Sequence, residues 1–158
     1  MSVFKRCLTA SLASLLLATL IPAGTASAAC YSPNRAERKF ASLINIARTS
    51  VDNLRLDPEL SKAAKVHTRE MVRANSLYHT PSDTLRRRVT NWSTLGENVG
   101  VGGGVASLHD AFMNSPAHRD NVVYPSFRHV GVGVIKKDGR MWVTVIFEAR
   151  SDPGSPLC

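Results

Sequence analysis

The chain has 158 residues, 20 of them basic and 12 acidic, for a net charge of +8. Two of those basic residues, Lys5 and Arg6, sit in a leading segment that reads as removable, so the remainder carries 18 minus 12, or +6. That is too little for a nucleic-acid footprint, and no segment is long and apolar enough to make a comfortable membrane span.

The leading segment has the grammar of a secretory signal: the basic pair, an apolar Leu/Ala-rich run from Leu8 to Ile21, the breakers Pro22 and Gly24, then Ala26-Ser27-Ala28. Cleavage after Ala28 is expected, so residues 1–28 form the signal peptide and 29–158 one exported domain. The competing lipoprotein reading would acylate Cys30, but Ser27 occupies a position where such signals prefer Leu. The 130 residues left (158 minus 28) suffice for a single core. Of three cysteines, Cys7 leaves with the signal. Cys30 and Cys158 then remain, 128 positions apart (158 minus 30). In an oxidising compartment they are expected to pair, which the loop-entropy argument values at roughly 5 kcal/mol. Free thiols or an intermolecular bridge are the other outcomes.

Ser32-Pro33 opens a first helix reaching about Thr49, with Phe40, Leu43, Ile44 and Ala47 on one stripe. Asp57-Pro58 repeats the signal, and the second helix runs to about Asn75 with Leu60, Ala63, Ala64, His67 and Met71 inward; His67 is expected to be a hydrogen-bonded core histidine. After a break exposing Tyr78-His79, Ser82 or Asp83 caps a short helix to Val89, carrying Arg86-Arg87-Arg88 on a solvated face. "TLGENVGVGGG", residues 94–104, is too rich in glycine for a regular element and reads as a sharply turning segment, with Glu97 in a turn that Asn98 fixes. A helix from about Val105 to Asn114 ends at Pro116, leaving His118 in a loop.

The period then changes. "HVGVGVI" alternates, with Val130, Val132 and Val134 on one face and Gly131 and Gly133 on the other, where a helix can approach closely. Lys137-Asp138-Gly139 is a turn, and "MWVTVIF", residues 141–147, is apolar on both faces and needs cover above and below. Helices first and a hairpin last give an α+β, three-layer α/β/α sandwich in one domain. His109 is expected to face solvent and His129 to lie at an edge or surface. Tyr78 and Trp92 are expected to be core or boundary aromatics.

Three groups stand out chemically: His79, Glu97 and His118. Two imidazoles and a carboxylate suit a borderline cation such as Zn²⁺ and would leave an open position for water. Their long spacing cannot by itself bring them together. Ser115 and His118 would also suit a nucleophile and base, but neither an orienting acid nor an oxyanion hole is visible.

"GENVGVG", "FMNSPAHRDNVVYPSFRHVGVGV" and "MWVTVIFEA", with "LINIAR", "DPELSKAAKVHTREM" and "LYHT" before them, resemble bacterial members of the CAP superfamily, or SCP domains, from about Glu37 to Glu148. The resemblance implies a cleft where two histidines and two acids meet, often around a divalent ion. His79 matches the first histidine, Glu97 the first acid and His118 the second histidine. The second acid is missing: Phe112 replaces a Trp and Ser115 stands where the Glu would be, with Asp110 about one turn earlier. Arg119 and Asn121, with Asn98 and Ser115, match positions that support the cleft. The expected protein is thus secreted, extracellular or wall-associated. It would be a monomer that binds an extracellular partner or a lipid- or sterol-like ligand, with zinc as the expected metal. A metal-dependent hydrolase or protease with Glu97 as base is one alternative. A structural wall domain with a vestigial cleft is another.

Overall fold

A computed structural model describes residues 31–150. The expected signal peptide and its cleavage site, Cys30 and Cys158 lie outside them. The elements are α1 (Arg35–Ala47), β1 (Arg55–Leu56), α2 (Pro58–Ala74), α3 (Ser82–Arg88), β2 (Thr94–Gly102), α4 (Val105–Asn114), α5 (Pro116–Val123), β3 (His129–Lys137) and β4 (Arg140–Ala149).

The strands form one sheet in the order β1-β3-β4-β2. β4 runs antiparallel to both β3 and β2, and β1 adds two parallel residues beside β3. Strand alternation assigns the layers. On β3 the valines at 130, 132 and 134 join Phe40, Ile44, Leu108 and Phe112 in the main core, so α1 and α4 cover that face together with Val122 of α5. Gly131 and Gly133 point the other way: a Cβ there would lie 2.1 Å from the Leu60 carbonyl carbon and 2.5 Å from that of Ala64. The α2 backbone lies directly on those two glycines, as the sequence pattern requires. Ile146 of β4 joins Leu60, Ala64, Leu85 and Val89 on this second face, which brings α3 alongside α2. The result is a single α+β domain of three layers, helices covering both faces of β4.

Several local expectations change. α1 starts not at Ser32-Pro33 but after Asn34, whose side chain accepts from the Glu37 N–H at 3.0 Å while Glu37 accepts from the Asn34 N–H at 2.8 Å; this reciprocal pair satisfies two donors at once. The glycine-dense passage is not an irregular turn but the strand β2, fully paired with β4. Its glycines exist for close approach. A Cβ on Gly96 would meet Asn121 Oδ1 at 2.8 Å, and one on Gly100 would meet Phe112 at 3.0 Å. Pro116 does follow the end of α4, with Ser115 extended before it (φ −103°, ψ 116°), but it also opens α5, where a proline at the first position costs no hydrogen bond. His118 therefore lies on a helix, not in a loop.

Two histidines expected at the surface are buried. His109 packs edge-on to Phe40, ring centroids 6.1 Å apart, because α4 turns that side toward α1. His129 lies opposite Glu148 in the β3–β4 register, its Nδ1 3.7 Å from the carboxylate. His67 meets expectation: it is fully buried, Nε2–H donating to the Tyr78 carbonyl at 2.8 Å and Nδ1 lying 3.2 Å from Glu70. Among the described residues no helix is long and apolar enough to cross a membrane.

Candidate functional site

β2 is an edge strand, and its alternation sends successive side chains to opposite layers. Glu97 projects toward the α2–α3 layer and Asn98 toward the α4–α5 layer; the register pairs them with Ile146 and Val145, which belong to the two different cores. The candidate site is built around this rim.

On the α2–α3 side the Glu97 carboxylate is 6% exposed and accepts three hydrogen bonds. Oε1 accepts from the Thr80 N–H at 2.9 Å and from His79 Nδ1–H at 2.9 Å, and Oε2 accepts from the Thr80 hydroxyl at 2.6 Å. A carboxylate can only accept from the ring, so this contact fixes the His79 proton on Nδ1 and leaves the lone pair of the neutral ring on Nε2. The His79 side chain is 60% exposed. The preceding residue is tied down as well, since buried His67 holds the Tyr78 carbonyl while Glu70 bonds Arg88 of α3 at 2.5 Å and 3.1 Å. Thr80 carried no signal of its own in the sequence; only the fold brings its two donors against Glu97.

On the α4–α5 side His118 stacks on Phe112, centroids 4.9 Å apart and planes 18° from parallel. Phe112 thus serves as a platform for the ring. Nδ1 of His118 lies 2.8 Å from Ser115 Oγ, a hydroxyl that can accept from it and so is compatible with a lone pair on Nε2. Asn98, fully buried, donates Nδ2–H to the His118 carbonyl at 2.9 Å. It accepts from Asn121 Nδ2 at 2.9 Å, and Asn121 also reaches the Glu97 carbonyl at 3.3 Å. This circuit stitches the first turn of α5 to β2. Asn98 thus anchors a helix to a strand rather than fixing a turn. Arg119 is exposed and gives its backbone N–H to the Ser115 carbonyl at 2.8 Å.

The two rings feel each other. Burial lowers the pKa of His118 below its ordinary 6.5, and the charge of His79 lowers it further. Asp110 does not supply the second acid: it points outward beside His109, 3.8 Å from its Nδ1. Among the described residues no group of three or more His, Cys, Asp or Glu is arranged to hold a metal ion. Any cation here would rest on two imidazoles, with Glu97 and Ser115 behind them and water completing its shell.

From His79, Thr80 and Glu97 a cleft of about 310 Å³ continues along α3, where Leu85, Arg86, Trp92 and Leu95 line it. Trp92, expected in the core or at its boundary, is 36% exposed, with the Arg86 guanidinium 5.9 Å over its ring.

Comparisons with known proteins agree with this architecture. A Bacillus subtilis (strain 168) relative, the uncharacterized protein YkwD, is 31% identical over 139 residues, which are 82% of this chain and 54% of that protein. An extracellular SCP-domain protein from Bacillus anthracis superposes with TM-score 0.63 at 28% identity, over 73% of this chain and 40% of that one. An outer surface protein from Borrelia burgdorferi superposes with TM-score 0.69 at 18% identity, over 77% and 98% of the two chains. NaASP2, crystallised with Zn²⁺, shares the fold at TM-score 0.60 and 13% identity, over 77% and 85%. The chain thus spans about half the length of its curated relative and less of the B. anthracis protein. The profile of the CAP, cysteine-rich secretory protein family matches residues 35–147, well over half of the sequence, and the chain belongs to that family.

Proposed function

We propose that this CAP domain is an exported binding protein whose cleft takes up a divalent cation, zinc by the chemistry of the donors, on Nε2 of His79 and Nε2 of His118. One observation carries the reading: each ring has its Nδ1 occupied by a fixed partner on its own side of β2, Glu97 at 2.9 Å and Ser115 at 2.8 Å. Metal-binding imidazoles commonly have this arrangement, in which the far nitrogen sets tautomer and orientation. Two nitrogens and water suit a borderline cation with open positions. The zinc in NaASP2 is consistent with the choice of ion and, at its low identity, assigns no residue here. A bound ion would supply a fixed positive charge at the rim of the sheet, able to hold an anionic group of a partner or ligand.

Binding is favoured over hydrolysis by the state of Glu97. A general base needs a free oxygen within reach of the water it activates. The Glu97 carboxylate is 6% exposed and already accepts three hydrogen bonds, which leaves one lone pair of Oε2 with little access to water, so its main work is to orient His79 and Thr80. The extracellular setting rests on the signal-like leader and on the extracellular B. anthracis relative. An apolar or sterol-like ligand remains an inference from family resemblance.

Calorimetric titration with zinc tests the proposal. The intact protein is expected to bind one ion. His79→Ala and His118→Ala should each abolish that binding, and Glu97→Gln should weaken it roughly 10–100-fold. Zinc uptake unchanged in the double variant His79→Ala/His118→Ala would overturn the reading.

A further inference from the structure

The cleft beyond His79 has a composition that the cation does not account for. The end bordered by α3 combines apolar walls, Leu85 and the Leu95 side chain two residues before Glu97 on β2, with an exposed indole and a guanidinium lying over it. The three arginines of α3 differ in their commitments. Arg88 is used up on Glu70, and Arg87 reaches the Thr84 hydroxyl at 3.3 Å. Of the three, it is Arg86 that lines the cleft, 60% exposed, and its ion pair with Asp83 is long, 3.8 Å, to a carboxylate itself 80% exposed. Such a pair in solvent contributes little and yields readily to a better acceptor. Glu97, the acid among the lining residues, is 6% exposed and has its oxygens bonded to Thr80 and His79, so they are turned to those donors and little of the carboxylate is presented to a ligand.

We infer that this end of the cleft is a binding site for an organic carboxylate with a compact apolar body: Arg86 takes the carboxylate, and the body lies between Trp92, Leu85 and Leu95. Guanidinium recognises a carboxylate through two parallel N–H bonds, and a contact with an aromatic ring restricts the fork before the ligand arrives. The volume of 310 Å³ sits at the lower end of small-molecule pockets and suits a ligand about the size of one blocked amino acid. The proposal does not require the cation, since it assigns the carboxylate to Arg86 of α3 and not to a metal-bearing histidine.

The test is a fluorescence titration in EDTA, read from Trp92, against which Trp142, 4% exposed, supplies a constant background. N-acetyl-phenylalanine is the probe and its uncharged carboxamide the control. The acid should saturate and bind at least about tenfold more tightly than the amide. Arg86→Gln should bring the acid down to the level of the amide, with an unchanged circular dichroism spectrum. Trp92→Leu, followed by calorimetry, should weaken both. Repeating the titration with a hexapeptide ending in free phenylalanine separates two sources of the same chemistry: equal affinity assigns the carboxylate to a peptide end, and binding of the single residue alone assigns it to a small molecule. Acid and amide binding alike, no binding of either up to 10 mM (about 2.7 kcal/mol of standard affinity at that limit), or full affinity in Arg86→Gln would overturn the assignment. Because zinc is excluded throughout, these outcomes stand apart from any failure of the cation site.

Discussion

His109 shows what burial does to a titratable ring that the sequence places next to an acid. Burial lowers its pKa below the ordinary 6.5, and the nearby Asp110 only partly opposes this. A histidine with a depressed folded-state value binds fewer protons when folded than when unfolded, so its contribution to stability rises with pH. As pH falls through about 6.5 the unfolded chain gains a proton that the folded ring refuses, and stability drops until the folded value is reached. On α1, Phe40 packs against the ring and offers the proton nothing, while the Leu43 backbone opposes the shift less than Asp110 does. The melting temperature should therefore fall between pH 7.5 and 5.5. In His109→Leu that decline should be shallower, as thermal melts at the two pH values would show. His118 titrates in the same direction and for the same leading cause, so some slope should persist in the variant.

At the level of elements, the glycines separate into those that pack and those that do not. Adding one methyl at Gly131 would drive it into the α2 backbone at Leu60, which cannot yield as a flexible side chain would. Gly131→Ala should cost about 3 kcal/mol or more, read as a lowered urea midpoint. Gly103→Ala, with nothing within 4 Å, should stay within about 0.5 kcal/mol of the parent. The same contrast explains what was legible beforehand. The Val-Gly alternation of β3 showed both its period and its close helix, and Asp57-Pro58 showed a helix start whose cap the structure bears out, with Asp57 Oδ1 accepting from the Glu59 and Leu60 N–H groups. β2 was not legible because its glycines serve α4 and α5, elements that come later in the chain, and local composition argues for a turn. α5 was missed because Pro116 both ends one helix and starts the next. His79, Glu97 and His118 were picked out by residue type and by family resemblance. That they occupy two sides of one strand, with Thr80 clamping the acid, depends on pairings across the sheet that no local pattern encodes.

For the whole molecule, the two halves of the candidate site are secured by different means. The His79 half hangs from α2, a 17-residue helix pressed on the sheet, through the buried His67 and its bond to Tyr78. The His118 half rides on α5, which has 8 residues and buries only Val122. What holds α5 is a set of polar ties: Asn98 to the His118 carbonyl, Asn121 to the Glu97 carbonyl, and Arg48 to the Val122 carbonyl at 2.6 Å. Segments with little apolar burial open at lower free energy than the core they rest on. Amide hydrogen exchange in α5 should be faster than in α2, and the difference should persist in Asn98→Ala, where α5 should loosen further while global stability falls by about 1–3 kcal/mol, the cost of two lost hydrogen bonds.

Such unequal anchoring bears on durability. Under the proposed cation binding, gradual heating should release the ion while the circular dichroism still reads as near native, because shedding the short helix separates one imidazole from the other and leaves the sandwich standing. On the same proposal, cooling should restore uptake without any refolding lag, release coming early and recovery at once.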